Sequence, residues 1–263
     1  MVMMAFFTTS DGVKIHYELL GEGERVIALL NGIAMNTAGW GFQTEALKKA
    51  GFRVLLHDMR GQGSSEKPRG EYSLERHVLD LKELLDHLGI EKASLVGISY
   101  GGKVALLAAL LIPSYIDKLV VLNSSHTVDR ALIARVDRWI LGSRLKSGRV
   151  LWQIMIPDIF SDHFINERFS LVSSLAPNFE LIDFVAFEEM AKAFVRVDLK
   201  GKLSSVRQPT LVVAGAEDRF FPPRYSEMIA GEIPSSRYLM LECGPVSIWE
   251  KPQEVNKLLL DFL

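Results

Sequence analysis

Two rhythms of apolar residues alternate along this chain. Short unbroken apolar runs are followed by longer stretches in which apolar side chains return at helical spacing. Phe6–Thr9 and Lys14–Leu20 alternate in polarity around Ser10-Asp11-Gly12, an Asp-Gly turn signal, and predict an antiparallel hairpin. Arg25–Leu30, Arg53–His57, Ala93–Val96 and Lys118–Leu122 read as buried strands. Helices are predicted between them. One runs near Trp40–Ala50 and is stopped by Gly51. Another is capped by Ser73, carries Leu74, Val78, Leu81, Leu85 and Leu88, and closes at Gly89. A third covers Gly101–Ile112 and ends before Pro113. Parallel neighbours need a long crossover, so strands alternating with helices predict an α/β fold: a mostly parallel sheet covered by helices on both faces.

The rhythm changes after Asn123. From Ser124 to Ser205 no strand pattern is present, only helical spacing studded with Trp139, Trp152, Phe160, Phe164, Phe184 and Phe194. A helical insertion between two strands predicts a cap over the carboxyl edge of the sheet. Alternation resumes with Thr210–Ala214, a helix near Pro223–Ala230, the strand Arg237–Leu241 and a helix over Pro252–Phe262. The expected organisation is a core of residues 1–123 and 206–263 with a helical cap of residues 124–205 inserted in it.

Composition narrows the partners. The 263 residues are 48% hydrophobic, enough for a substantial core, and their formal net charge of -2 argues against nucleic acid. No run of about 18 apolar residues predicts a membrane span. Met1–Phe7 is apolar but too short for a signal peptide and lacks its basic region. Cys243, the single cysteine, excludes an intrachain disulfide, so a reducing cytoplasm is the expected setting. Arg130, Arg135, Arg138, Arg144, Lys146 and Arg149 read as a solvated helix face. Neither a phosphate-cradling glycine signature nor clustered metal-ligand spacing is present, so no cofactor and no metal is expected. The expected partner is a small acyl compound.

The chemistry centres on Gly97-Ile98-Ser99-Tyr100-Gly101, which joins a predicted strand to a predicted helix. In that context Gly-x-Ser-x-Gly forms a nucleophile elbow: a sharp turn that exposes the serine hydroxyl above the sheet, beside a helix N-terminus. Together with Asn31-Gly32, the run Asp58-Met59-Arg60-Gly61-Gln62-Gly63-Ser64 and Gly215-Ala216-Glu217-Asp218, this elbow resembles the α/β-hydrolases over nearly the whole chain outside the cap. The resemblance implies Ser99 as nucleophile and Asp218 as the acid that orients a histidine, with Glu217 the adjacent competitor; the alternative acid position, after the preceding strand, is occupied by Asn123, which favours Asp218. The resemblance also implies an oxyanion hole from the backbone N–H groups of Ile33 and Tyr100. Asn-Gly in place of the commoner His-Gly is similar to the enol-lactonase-like members. Asp58, Arg60 and Gly63 match a structural signature to which no chemistry is assigned.

The departure lies at the base. The loop Leu241-Glu242-Cys243-Gly244-Pro245-Val246 keeps the family frame, but Pro245 stands where the resemblance expects histidine. Proline offers no side-chain proton acceptor, so the triad is broken as written. Of the six histidines, His16, His77 and His87 are expected at the surface, and His57 is expected partly buried. His126, at a strand's carboxyl end, and His163, in the cap, are the alternative bases. Cys243 reads as a buried strand residue. The functions in play are a serine hydrolase of a small apolar ester, lactone or related acyl compound, impaired by Pro245; a non-catalytic ligand-binding protein on the same fold; and a related lyase or haloperoxidase-like chemistry.

Overall fold

The computed structural model describes residues 5–263, so the first four residues of the apolar start Met1–Phe7 lie outside the described residues. Among the described residues a single eight-stranded sheet runs in the order β1-β2-β4-β3-β5-β6-β7-β8. The strands are β1 (Ala5–Thr8), β2 (Lys14–Leu20), β3 (Val26–Leu30), β4 (Arg53–His57), β5 (Ala93–Ile98), β6 (Ile116–Leu122), β7 (Thr210–Gly215) and β8 (Ser236–Leu241). β1 and β2 form the expected hairpin and join β4 antiparallel; every pairing from β4 through β3 to β8 is parallel.

The helices are α1 (Gly41–Lys49), α2 (Leu74–His87), α3 (Tyr100–Leu111), α4 (Arg130–Arg144), α5 (Gly148–Ile159), α6 (Asp162–Glu167), α7 (Phe169–Ser174), α8 (Ala176–Phe179), α9 (Phe184–Arg196), α10 (Arg224–Glu232), α11 (Ser247–Glu250) and α12 (Pro252–Phe262). The start predicted near Trp40 is a short 3-10 turn over Thr37–Trp40, capped by Asn36, that feeds α1. Ser73 caps α2 as expected, its hydroxyl accepting from the Arg76 N–H. Gly51 and Gly89 close their helices at positive φ.

The central strands are buried on both faces and therefore read as unbroken apolar runs. Their side chains divide between two cores. One, holding Leu95, Val121 and Val212, also contains the buried faces of α2, α3 and α10. The other, holding Val96, Val120 and Val213, packs under α1 and α12. α3 is buried at ten of its twelve positions, from Tyr100 to Ala109, so it lies between sheet and neighbouring helices rather than on the surface. Between β6 and β7 the described chain is helical, α4 to α9, with no strand. No single helix among the described residues is long and apolar enough to cross a membrane.

The topology fixes where a site can form. β4 lies on one side of β3 and β5 on the other, so the loops leaving β3 and β5 diverge and open a crevice at their carboxyl ends.

Candidate active site

Ser99 occupies the apex of the turn between β5 and α3 at φ +53° and ψ -115°, a conformation that non-glycine residues avoid. The surrounding glycines make the turn possible. A Cβ on Gly97 would stand 2.3 Å from the Gly101 carbonyl oxygen, and one on Gly101 would stand 2.2 Å from that of Leu30. The elbow is also pinned from β6: the Ser99 N–H donates to the Leu122 carbonyl at 2.9 Å, and the Ser124 hydroxyl donates to the Ser99 carbonyl at 2.6 Å. Ala34 and Asn123 are likewise at positive φ, 61° and 46°. All three follow the carboxyl ends of neighbouring parallel strands, β3, β5 and β6. Strain of this kind costs on the order of 1–3 kcal/mol each and persists where surrounding structure enforces it.

The loop after β3 abuts the elbow: a Cβ on Gly32 would lie 3.6 Å from the Ser99 Cβ. Asn31 is wholly buried, accepts from the Trp40 indole at 2.9 Å and donates to the His57 carbonyl at 3.1 Å. Gln62 donates to the Gly32 carbonyl at 2.8 Å. Ile33 is thereby held beside Ser99 on the wall of one cavity. Tyr100 is the first residue of α3, so its N–H has no intrahelical acceptor. Asp58 organises the neighbouring turn. It accepts from the Thr37 and Ser64 N–H groups and from His16, and a Cβ on Gly63 would collide with its carboxylate.

Asp218 follows β7 and is 3% exposed. It accepts from the Phe221 N–H at 2.6 Å and from Asn123 Nδ2 at 3.2 Å; the same Asn123 amide donates to the Gly244 carbonyl at 3.3 Å. Burial pushes the carboxyl from 3.8 up to about 8 against these donors, with the Glu250 charge adding to the rise. Asp218 is therefore mostly protonated at neutral pH. Pro245 lines the same cavity as Ser99. Its loop is anchored by Glu250, which accepts from the Gly244 N–H at 3.0 Å and from the Ser161 hydroxyl and N–H at 2.6 and 3.0 Å.

The histidines depart from several expectations. His16 and His77 are buried rather than at the surface, because α2 and the hairpin turn these positions inward; His87 is exposed as expected. His57 is fully buried, and burial holds it down at about 4. His126 lies outside the Ser99 cavity and pairs with Glu232 at 3.0 Å. His163 points to solvent and pairs with Glu167 at 3.2 Å. Among the described residues, no imidazole hydrogen-bonds Ser99 or Asp218. Cys243 is buried as expected but lies two residues past the end of β8 rather than in the strand, and burial pushes its thiol well up. The basic cluster lies on an exposed face where Arg144 pairs with Glu188 at 2.7 Å and Arg138 with Asp158.

Above Ser99 opens a cavity of about 600 Å³, floored by the loops after β3, β5 and β8 and walled by α4, α5, α8 and α9. Trp139, Trp152, Phe187, Phe220 and Trp249 supply much of its wall, and Trp139 stacks on Phe220 at 4.0 Å. No group of three or more His, Cys, Asp or Glu side chains among the described residues is arranged to hold a metal. Sequence reasoning missed the parts played by Asn123 and Glu250. The sequence marks Asn123 only as the residue after a strand, at the alternative acid position, and no local pattern singles out Glu250; Asn123 reaches Asp218 and Gly244, 95 and 121 residues on, and Glu250 reaches Ser161, 89 residues back.

The family model described as alpha/beta hydrolase fold matches residues 25–252. The chain is 30% identical, over 98% of its length and 94% of the relative's, to a 2-hydroxy-6-oxononadienedioate/2-hydroxy-6-oxononatrienedioate hydrolase of Cupriavidus pinatubonensis. It is 26% identical to the 3-oxoadipate enol-lactonase 2 of Acinetobacter baylyi, over 94% of this chain and 92% of that one. The crystal structure of a hydrolase from Pseudomonas aeruginosa superimposes with a TM-score of 0.92 at 31% identity, covering 99% of this chain and 98% of that one. The sheet order, the turn around Ser99 and these matches together make the chain a member of the alpha/beta hydrolase fold family.

Proposed function

We propose that this protein is a serine hydrolase acting on a small apolar ester, lactone or related acyl compound through Ser99, impaired by the proline at position 245. The observation that carries the reading is the strained Ser99 turn at the base of an apolar cavity of about 600 Å³. Residues 124–205 act as the cap of that cavity. The relatives named as an enol-lactonase and as a hydroxy-oxo-dienedioate hydrolase support acyl chemistry.

In this mechanism the Ser99 hydroxyl attacks the carbonyl carbon of the bound compound. The developing oxyanion accepts from the N–H groups of Ile33 and Tyr100, which are fixed before reaction and need no reorganisation. The hydroxyl proton must leave as the bond forms, and an imidazole between Ser99 and Asp218 would take it. Pro245 supplies no such acceptor. Asp218, whose pKa burial raises to about 8, has no imidazolium to stabilise. Losing the base of a serine triad costs roughly a factor of 10⁶ in turnover, with a residue of catalysis left to the oxyanion hole and binding.

The test is a burst assay with a chromogenic short-chain ester on the protein and on Pro245→His. The substitution is expected to raise ester cleavage by roughly 10³-fold or more, and adding Ser99→Ala is expected to abolish the gain. No gain over background overturns the reading. In that event a second reading is favoured by the absence of any base at Ser99 among the described residues, beside a retained cavity: a non-catalytic small-ligand-binding protein.

A further inference from the structure

Among the described residues, the cavity wall contains one cation whose charge the protein leaves unpaired. Lys67 lines the cavity from the loop between β4 and α2, and its ammonium donates to the carbonyls of Gly63 at 2.7 Å and Ser65 at 2.6 Å. Two of its three N–H groups are thus fixed to backbone, which holds the head group in place and leaves one donor over. Carboxylates are nearby, but other groups hold them. Asp183, the only acidic residue among the described residues of the cavity wall, pairs with Arg69 at 3.1 Å and caps α9 through the Val185 and Ala186 N–H groups. Asp58 accepts from His16 and from the Thr37 and Ser64 N–H groups. Glu66, next in the chain, accepts from the Lys14 N–H. No carboxylate oxygen of the described residues comes within ion-pair distance of Lys67. Desolvation lowers its pKa even though Asp58 and Asp183 pull the other way.

A half-buried ammonium with no carboxylate at ion-pair distance, on the wall of a mainly apolar cavity whose one acidic residue, Asp183, is paired with Arg69, is a site for an anion that arrives with the ligand. We infer that the ligand of the Ser99 cavity is a monoanionic acyl compound, its carboxylate on Lys67 and its apolar remainder among the aromatic side chains, with Lys67 the residue that selects it. This inference rests on the acyl-compound reading of the same cavity. It divides the cavity wall by function: Ser99 for the reaction, Trp139 and Phe187 for the apolar part of the ligand, Lys67 for its charge. With one unpaired cation, the wall favours one carboxylate over two.

The experiment uses monomethyl suberate and dimethyl suberate, which differ in one carboxylate, titrated into the protein at neutral pH. Quenching of Trp139, Trp152 and Trp249, all on the cavity wall, reports binding without requiring turnover. The half-ester is expected to bind at least tenfold more tightly than the diester. Lys67→Met is expected to bring the half-ester down to the diester's affinity while leaving the diester unchanged, and Lys67→Arg is expected to keep most of the preference. Equal or tighter binding of the diester, or equal weakening of both probes by Lys67→Met, overturns the inference and leaves the acyl-compound reading standing. Absence of quenching by either probe overturns both.

Discussion

Asp218 is a buried carboxyl held by the Phe221 N–H and the Asn123 amide, with no cation paired to it among the described residues. Its pKa of about 8 against 3.8 in the unfolded chain carries a definite sign. Between about pH 4 and pH 8 the unfolded chain releases a proton that the native protein keeps, so this group's contribution to stability falls as pH rises through that window and is level outside it. Asp218→Asn removes the penalty. Asn123 Oδ1 is buried without a partner, so a rotated Asn123 side chain can accept from the amide introduced at position 218 while the Phe221 N–H keeps its acceptor; the rotation gives up the Asn123 bond to the Gly244 carbonyl, a cost that does not vary with pH. Denaturation midpoints are expected to show Asp218→Asn gaining on the wild-type protein between about pH 5 and pH 8; a constant difference across that range refutes the assignment. Ser99 in its tight turn, Asp218 after its strand and Pro245 in its loop were all legible as residue types at motif spacing. The Asn123 bridge was not, because it joins β6 to loops 95 and 121 residues further along the chain.

The elbow and α2 show how much of an element is set locally. Gly101 meets the Leu30 carbonyl where a Cβ would stand 2.2 Å away, and backbone cannot yield as a flexible side chain can. Gly101→Ala therefore forces α3 away from β3. It is expected to destabilise by roughly 1–3 kcal/mol, read as a fall in Tm of about 2–4 °C per kcal/mol for a chain of this size. Ser73→Ala loses only the cap hydrogen bond to the Arg76 N–H and is expected to cost about 1 kcal/mol. A smaller loss for Gly101→Ala than for Ser73→Ala in the same thermal series contradicts the close approach. Capping serines, closing glycines and apolar runs act within a few residues, which is why Arg53–His57, Leu74–His87 and Pro252–Phe262 could be read so closely. The 3-10 entry at Thr37–Trp40 could not, since its Thr37 N–H is held by Asp58 on another loop.

At the scale of the molecule, the helical segment is tied to the sheet domain by groups that no local pattern singles out. Lys103, one turn beyond Ser99, is 0% exposed, donates to the Phe194 carbonyl in the last turn of α9 at 2.9 Å, and lies 4.2 Å from the centre of the Phe194 ring. Burial lowers its pKa from 10.5 to about 7. Between those values the unfolded chain binds a proton that the native protein does not, so stability gains from this group as pH rises from about 7 toward 10.5. The stability gap between the wild-type protein and Lys103→Met is expected to shift in the wild-type protein's favour over that range in urea titrations; a gap independent of pH contradicts a buried, titrating Lys103. The sequence by itself determined the alternation of strands and helices, the elbow, the helical insertion and the proline at the expected base position, because periodicity, turn chemistry and side-chain identity are local properties. Only the tertiary structure decided that His16 and His77 are interior, that His126 meets Glu232 and His163 faces solvent beside Glu167, that burial raises the Asp218 pKa, and that Lys67 lines the cavity with no carboxylate at ion-pair distance. Burial and partnership depend on what the rest of the chain brings alongside, and in a parallel sheet the partners come from strands far apart in sequence.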